Sequence, residues 1–378
     1  APAVRARLAD AFDTRSASTA VRLALWSDSL PIVLKHPAFG FGPAQFLYRF
    51  PEYWSEDTAK RVFAGGQHLV ENPHNDWLAL ALDGGLPALA ALAAALLLAL
   101  WTPWRGTWRG ARPDPVGAAA AAAAVAWAAY GWVDYPLHNP VPLLGFFTAL
   151  GLLAPLHAND DPVRGKTNPA ALPLLAAALA LAAWGAPPLL RAVPAQAEAL
   201  QGAQYLAVDP ARAFQHALAA VNLDAHNALG FSVLGQSKLL AKPREGERLD
   251  AEGAVYFLER ALTLYPDDFV SRYNLGVAAY ELAMARQSSY NRARQEFLRA
   301  LAINPYYARA YFQLASIAAR EQLEWPVVKR NLDRAVKLEP PLLVPASQAA
   351  EFAPYRETAE WQAWFAALQR LFRVRSHP

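Results

Sequence analysis

Four apolar stretches crowd into the middle of this chain, Leu86 to Trp101, Ala118 to Trp132, Val141 to Leu156 and Ala170 to Leu190, and no other feature limits its fold so strongly. A helix rises about 1.5 Å per residue and a bilayer's hydrocarbon core is roughly 30 Å thick, so about twenty apolar residues make a span. The first three stretches are a little short by that count. Their flanking Gly, Pro, Trp and Tyr residues extend them into the interfacial zone, where Trp101, Trp104, Trp127, Trp132 and Tyr135 supply anchors. The competing reading is an Ala-rich helix buried in a soluble core. Arg105, Arg109 and Arg112 lie between the first and second stretches, and Arg164 and Lys166 between the third and fourth. The positive-inside rule puts both loops in the cytoplasm. Residues before about Gly84, the turn from Asp134 to Pro140 and everything after about Arg191 then face the other side, the periplasm of a Gram-negative cell.

The chain is 54% hydrophobic, yet its mean hydropathy is only +0.08, which suggests that strongly apolar and ordinary water-soluble segments are averaged together. Its 378 residues predict two or three domains. The net charge of +3 is scattered without a basic stripe, so nucleic acid is not an expected partner. With no cysteine, disulfides, Cys-ligated metal and Cys nucleophiles are excluded. The chain begins at Ala1 without a signal-peptide pattern and reads as a fragment or a processed product.

After Pro194 the hydropathy falls and a repeat emerges. Ala254, Leu258, Ala261, Leu262 and Pro266 recur as Ala293, Phe297, Ala300, Leu301 and Pro305, then as Val328, Leu332, Ala335, Val336 and Pro340. The prolines stand 39 and 35 residues apart, near the roughly 34-residue tetratricopeptide (TPR) period. Tyr273-Asn274-Leu275-Gly276, Tyr311-Phe312-Gln313-Leu314-Ala315 and Asn227-Ala228-Leu229-Gly230 look like copies of the first helix of that repeat, and 211–222 like a degenerate earlier second helix. A solenoid of this kind offers a surface to protein partners and carries no chemistry of its own. The expected fold class is therefore all-α: a periplasmic loop over residues 1–83 with an amphipathic helix, integral membrane helices over 84–192, and a periplasmic TPR-like α-solenoid over 193–378.

Between Ser16 and Asp83 the chain is neither span nor repeat, and collects polar groups, aromatics and glycines beside the first span. Thr19 to Leu34 reads as an amphipathic helix with Val21, Leu25 and Trp26 on its apolar side. Arg22, one turn before Trp26, can then face a headgroup or phosphate. The run from His36 to Pro43 must turn, since Pro and paired Gly break helix and strand alike. Gly40 and Gly42 suit a tight turn or a close approach of backbone to phosphate. Tyr48 to Lys60 reads as a loop or short helices at the membrane surface.

The run Glu71-Asn72-Pro73-His74-Asn75-Asp76-Trp77-Leu78 sets a His-Asn-Asp cluster at the start of an apolar helical stretch that halts at Gly84-Gly85. Asn75 or Asp76 is suited to cap that helix. His74 is either an interfacial hydrogen-bonding residue or, functionally, a neutral imidazole that accepts a proton from a hydroxyl. An arginine at the same face can hold a pyrophosphate through bidentate, charge-assisted contacts. His138, with Asp134 nearby, either lines an acceptor path or belongs to a plain Pro-flanked turn. His36 and His68 read as surface residues. Glu71 and Asp76 lack the supporting ligands of a metal site, and no metal or cofactor is expected.

The pattern Arg22-x-x-x-Trp26, His36-Pro37-x-x-Gly40-x-Gly42 and His74-Asn75-Asp76-x-Leu78 with Asp83-Gly84-Gly85 resembles the large periplasmic loop of the O-antigen ligase/Wzy polymerase superfamily, which includes bacterial protein O-oligosaccharyltransferases. The turn from Asp134 to Pro140 is similar to one in members with C-terminal TPRs. The resemblance covers about residues 16 to 156. It implies metal-independent, inverting glycosyl transfer from an undecaprenyl-pyrophosphate-linked donor to a lipid, glycan or protein acceptor at the periplasmic face of the inner membrane. In that scheme His74 matches the family's essential histidine and Arg22 an arginine that binds pyrophosphate, with Asn75, Asp76 and His138 as further substrate-binding candidates. Family members carry further spans before this loop, one bringing another essential arginine, and this chain does not contain them. The rival expectation is a non-catalytic, membrane-anchored TPR scaffold for envelope assembly.

Overall fold

The structure is a computed structural model that describes residues 17–42, 45–64, 70, 72–108, 115–132, 134, 145–149, 191–241 and 249–375. Every regular element among them is helical. The chain divides into two compact units, residues 1–167 and 168–378.

In the first unit, α1 (Ala17–Lys35) packs against α3 (Glu56–Ala64), against a 3-10 turn at Phe50–Tyr53 that follows the short α2 (Phe46–Arg49), and against α4 (Asp76–Trp108). Of the loop or short helices expected over Tyr48 to Lys60, the structure has short helices. Leu25, Ser29 and Ile32 on α1, with Phe46, Phe50, Trp54, Ala59 and Val62, are among the buried residues of the unit. The start of α3 is fixed by side chains. Ser55 N–H donates to Asp28 Oδ2 at 2.7 Å, and Ser55 Oγ accepts from Thr58 N–H at 3.2 Å.

Leu25 is buried as the sequence suggests, but the other apolar residues of α1 divide differently from the expected face. Trp26 is half-buried, whereas Leu23, Leu30 and Leu34 are exposed.

Helix α4 is interrupted at Gly85, whose φ of 73° and ψ of −174° are non-helical. The stretch from Asp76 to Leu98 is long and apolar enough to cross a membrane, and among the described residues it alone meets that test. Beyond the break, Leu86 to Trp108 measures about 34 Å. The second apolar stretch forms α5 (Pro115–Tyr130), with a shorter apolar helix from Ala118 to Tyr130. Leu96 of α4, Ala120 and Ala124 of α5 and Phe146 form one buried cluster. Of the third expected span only residues 145–149, which are helical, are described, and the fourth lies wholly outside the described residues.

The second unit runs as helices packed in sequence: α6 (Pro210–Leu223), α7 (Ala228–Leu240), α8 (Ala251–Leu264), α9 (Phe269–Arg286), α10 (Asn291–Ile303), α11 (Ala308–Arg320) and α12 (Trp325–Leu338), preceded by helical residues 191–205. Each of α6 to α12 contacts the next. Asp209, Asn227, Asp250 and Asp268 cap α6 to α9, their side-chain oxygens accepting from the N–H groups of Arg212, Gly230, Gly253 and Val270 at 2.7 to 3.0 Å. These caps satisfy amide donors that a helix start leaves without intrahelical partners.

Three of the five recurring positions are buried in every copy: Ala254, Leu258 and Ala261; Ala293, Phe297 and Ala300; Val328, Leu332 and Ala335; the recurring prolines are exposed. Small residues set the helix spacing. A Cβ on Gly235 would stand 2.5 Å from Leu258 Cγ, and one on Gly276 2.6 Å from Phe297 Cε1. At the C-terminal end α13 (Leu343–Gln348), α14 (Ala353–Arg356) and α15 (Ala359–Arg375) close the core, where Phe352, Trp361, Trp364 and Leu368 pack on Val328, Leu332 and Val336.

Candidate functional site

The site is built on the turn that opens α4. His74 holds a left-handed backbone with φ of 51°, a conformation that is costly for most side chains and tolerated best by Asn, Asp and His. Its N–H donates to Asn72 Oδ1 at 3.0 Å, closing a local turn. Asn75 then acts as the helix cap, Oδ1 accepting from Leu78 N–H at 2.9 Å while Nδ2 donates to the Trp132 carbonyl at 3.0 Å. Asp76 N–H donates to the Gly131 carbonyl at 2.8 Å, and Trp77 Nε1 to that of Ala128 at 2.9 Å. Three bonds therefore pin the residues after His74 to the end of α5. On the other side, Trp26 Nε1 donates to the Pro73 carbonyl at 2.8 Å. Arg22, one helical turn before Trp26 on the same flank of α1, is brought to the same turn.

Electrostatics shows the convergence. The basicity of His74 is pushed below the usual histidine value, first by burial and then by the positive charge of Arg22; the Asp134 carboxylate opposes both. Asp134 sits at the end of α5, its Oδ2 accepting from Tyr130 O–H at 2.7 Å. The imidazole is accordingly neutral near pH 7 and able to accept a proton.

A second set of contacts fixes the height of this turn. A Gly at position 85 breaks α4, and Pro87 has no N–H to offer the Asp83 carbonyl. The loop after α1 supplies what the break removes. Phe41 N–H donates to the Leu82 carbonyl at 2.5 Å, Gly42 N–H to that of Asp83 at 3.1 Å, and Leu86 N–H to that of Pro37 at 2.8 Å. The approach admits no side chain at two positions. A Cβ on Gly40 (φ 61°) would lie 2.1 Å from the Leu82 oxygen, and one on Gly85 2.6 Å from the Ala38 carbonyl carbon. The two glycine-bearing motifs that the sequence presents separately are thus halves of one joint.

Arg22, His74, Asn75 and Asp76 are brought together. Asn75 and Asp76 are buried, Asn75 engaged in capping and bridging, and Asp76 lies against Gly131, where a Cβ would stand 3.3 Å from its Oδ2. His36 stands apart at the end of α1, its ring 5.3 Å from that of Phe41. Glu71, His68 and His138 lie outside the described residues. Asp134, read from sequence only as a companion of His138, acts on His74. Its signal is slight: an acid four residues after Tyr130, at the end of an apolar helix. The Trp26 bond to Pro73 had no sequence signal.

Residues 3–93 match the family model described as O-antigen ligase. The O-antigen ligase match runs through α1, α2, α3 and the opening of α4, and so contains Arg22, His74, Asn75, Asp76 and both halves of the glycine joint. It supports the superfamily resemblance read from the motifs and, with it, a glycosyl-transfer role related to O-antigen. No curated protein matches the chain.

Proposed function

We propose that the protein takes part in transferring a glycan from an undecaprenyl-pyrophosphate-linked donor to an acceptor hydroxyl at the periplasmic face of the inner membrane, with His74 as the base and Arg22 holding the pyrophosphate. The observation that carries the reading is the meeting of a half-buried, neutral histidine with an arginine at one turn, inside the segment matched by the O-antigen ligase model. In this scheme His74 takes the proton of the acceptor hydroxyl as its oxygen bonds to the anomeric carbon. The bond from that carbon to the pyrophosphate oxygen breaks with inversion, its electron pair leaving on the pyrophosphate, whose charge Arg22 offsets. Asn75 and Asp76 contribute by holding His74 against α5, and His138 is assigned to the acceptor side.

The same proposal reads α4, α5 and the two further apolar stretches as membrane spans. It reads residues 193–378 as a TPR-like domain for protein partners, a reading supported by the burial of recurring positions in α8, α10 and α12. The test is glycan transfer by the full-length protein carrying His74→Ala or Arg22→Ala, with wild-type expression and folding verified. A fall of at least about 100-fold in each is expected from the loss of a general base or a charge-stabilising contact. Wild-type transfer by both variants overturns the mechanism.

A further inference from the structure

The leucines that α1 does not bury form one stripe. Leu23, Leu30 and Leu34 are 44%, 58% and 78% exposed, and Phe39 in the following loop is 83% exposed. At 3.6 residues per turn the three leucines lie within an arc of about 40° around the helix. Ser27 shares the stripe, with its hydroxyl turned back to donate to the Ala24 carbonyl at 2.8 Å. The stripe thus shows no polar side chain seeking a partner, on a helix whose opposite side, through Leu25, Ser29 and Ile32, is buried.

The joint described above says what meets this face. Pro37 accepts from Leu86 N–H, so the end of α1 is tied to the residue from which α4 resumes as an apolar helix. Leu86 is itself 45% exposed, as are Leu97 and Leu98 further along α4, at 70% and 68%. The end of the α1 stripe is thus held beside Leu86, at the break within the segment long and apolar enough to cross a membrane. We infer that the Leu23, Leu30, Leu34 and Phe39 face of α1 lies in the acyl-chain boundary of the bilayer, so that Arg22 and Trp26, on the adjoining flank, stand at headgroup depth. The inference rests on the membrane reading of α4 given above and goes beyond it by assigning lipid to a helix that is not a span. Its consequence is geometric. A pyrophosphate carried on a membrane lipid already sits at the level of Arg22, and the donor need not be lifted out of the bilayer.

This chain contains no cysteine, so single thiols introduced into it can be spin-labelled in the full-length protein in phospholipid vesicles, with any cysteine elsewhere in that protein replaced by serine. Leu30→Cys, Leu34→Cys and the conservative Ser27→Cys report on the stripe. Leu97→Cys reports on α4, and Asp57→Cys, at an exposed position of α3, serves as the aqueous reference. Collision with dissolved oxygen exceeding collision with a water-soluble nickel chelate several-fold at 27, 30 and 34, as at 97, with the reverse at 57, is the expected result. Nickel-dominated collision at 27, 30 and 34 with a lipid signature at 97 overturns the inference while leaving α4 as a span. Shielding from both reagents means that protein covers the stripe and overturns it equally. A water signature at 97 as well removes the membrane reading on which the inference stands.

Discussion

The left-handed backbone of His74 separates what this residue does for the fold from what it does for the chemistry. A β-branched residue at φ of 51° meets a penalty of about 1–2 kcal/mol, whereas Asn adopts that region readily. His74→Asn is therefore expected to unfold within about 1 kcal/mol of wild type while transfer is lost, and His74→Val to lose both. Calorimetry beside a transfer assay distinguishes them.

The depressed basicity of His74 has a sign that can be tested. Its folded value lies below the usual one of about 6.5, so the unfolded chain binds more protons through that window. This contribution to stability is unaffected above about pH 6.5 and erodes as the pH falls from there to the folded value. Transfer should decline over the same side of neutrality. Asp134→Asn removes the opposing charge and moves the imidazole midpoint further down, while Arg22→Gln moves it up. NMR titration of the ring reads both, and no movement in either variant contradicts the convergence of the three groups.

At the scale of elements, the joint between the α1–α2 loop and α4 makes two glycines indispensable. Gly40→Ala and Gly85→Ala each place a methyl group against backbone that cannot move aside, at positive φ. Each should destabilise the first unit by about 3 kcal/mol or more. The sequence made both turns legible, because Gly and Pro punctuate a chain locally. It could not show that they dock, since Trp26 meets Pro73 and Asn75 meets Trp132 across 47 and 57 residues, and no local pattern encodes such pairings. The facing of α1 was illegible for a different reason. Apolar residues occur around almost its whole circumference, so periodicity cannot decide which of them meet protein and which meet something else.

For the molecule as a whole, the contrast between the units is one of contact range. In the second unit each of α6 to α12 packs on its sequence neighbour, and the spacing of Ala261, Ala300 and Ala335 carries the pattern of burial directly. The close approach of α9 and α10 should then be sensitive to a single methyl. Gly276→Ala meets the fully buried Phe297 ring and is expected to cost about 1–3 kcal/mol, more than the roughly 1 kcal/mol that alanine gains in helix propensity. Faster amide exchange over α9 and α10 in the intact protein, with the first unit unchanged, would register this; unchanged protection there would contradict it.

The break at Gly85 also acts as a ruler. Between it and the cap at Asn75 run nine residues of helix, Asp76 to Gly84, anchored below by the Pro37 and Phe41 contacts and above by the end of α5. Length in such a segment is quantised: one inserted residue turns its upper end by about 100° and lifts it about 1.5 Å. Either displacement would swing the imidazole away from Arg22 without altering a single functional side chain. The distance from joint to histidine is therefore as much a part of the site as the histidine itself, and chains that share this site should keep the number of residues from Asp76 to Gly84.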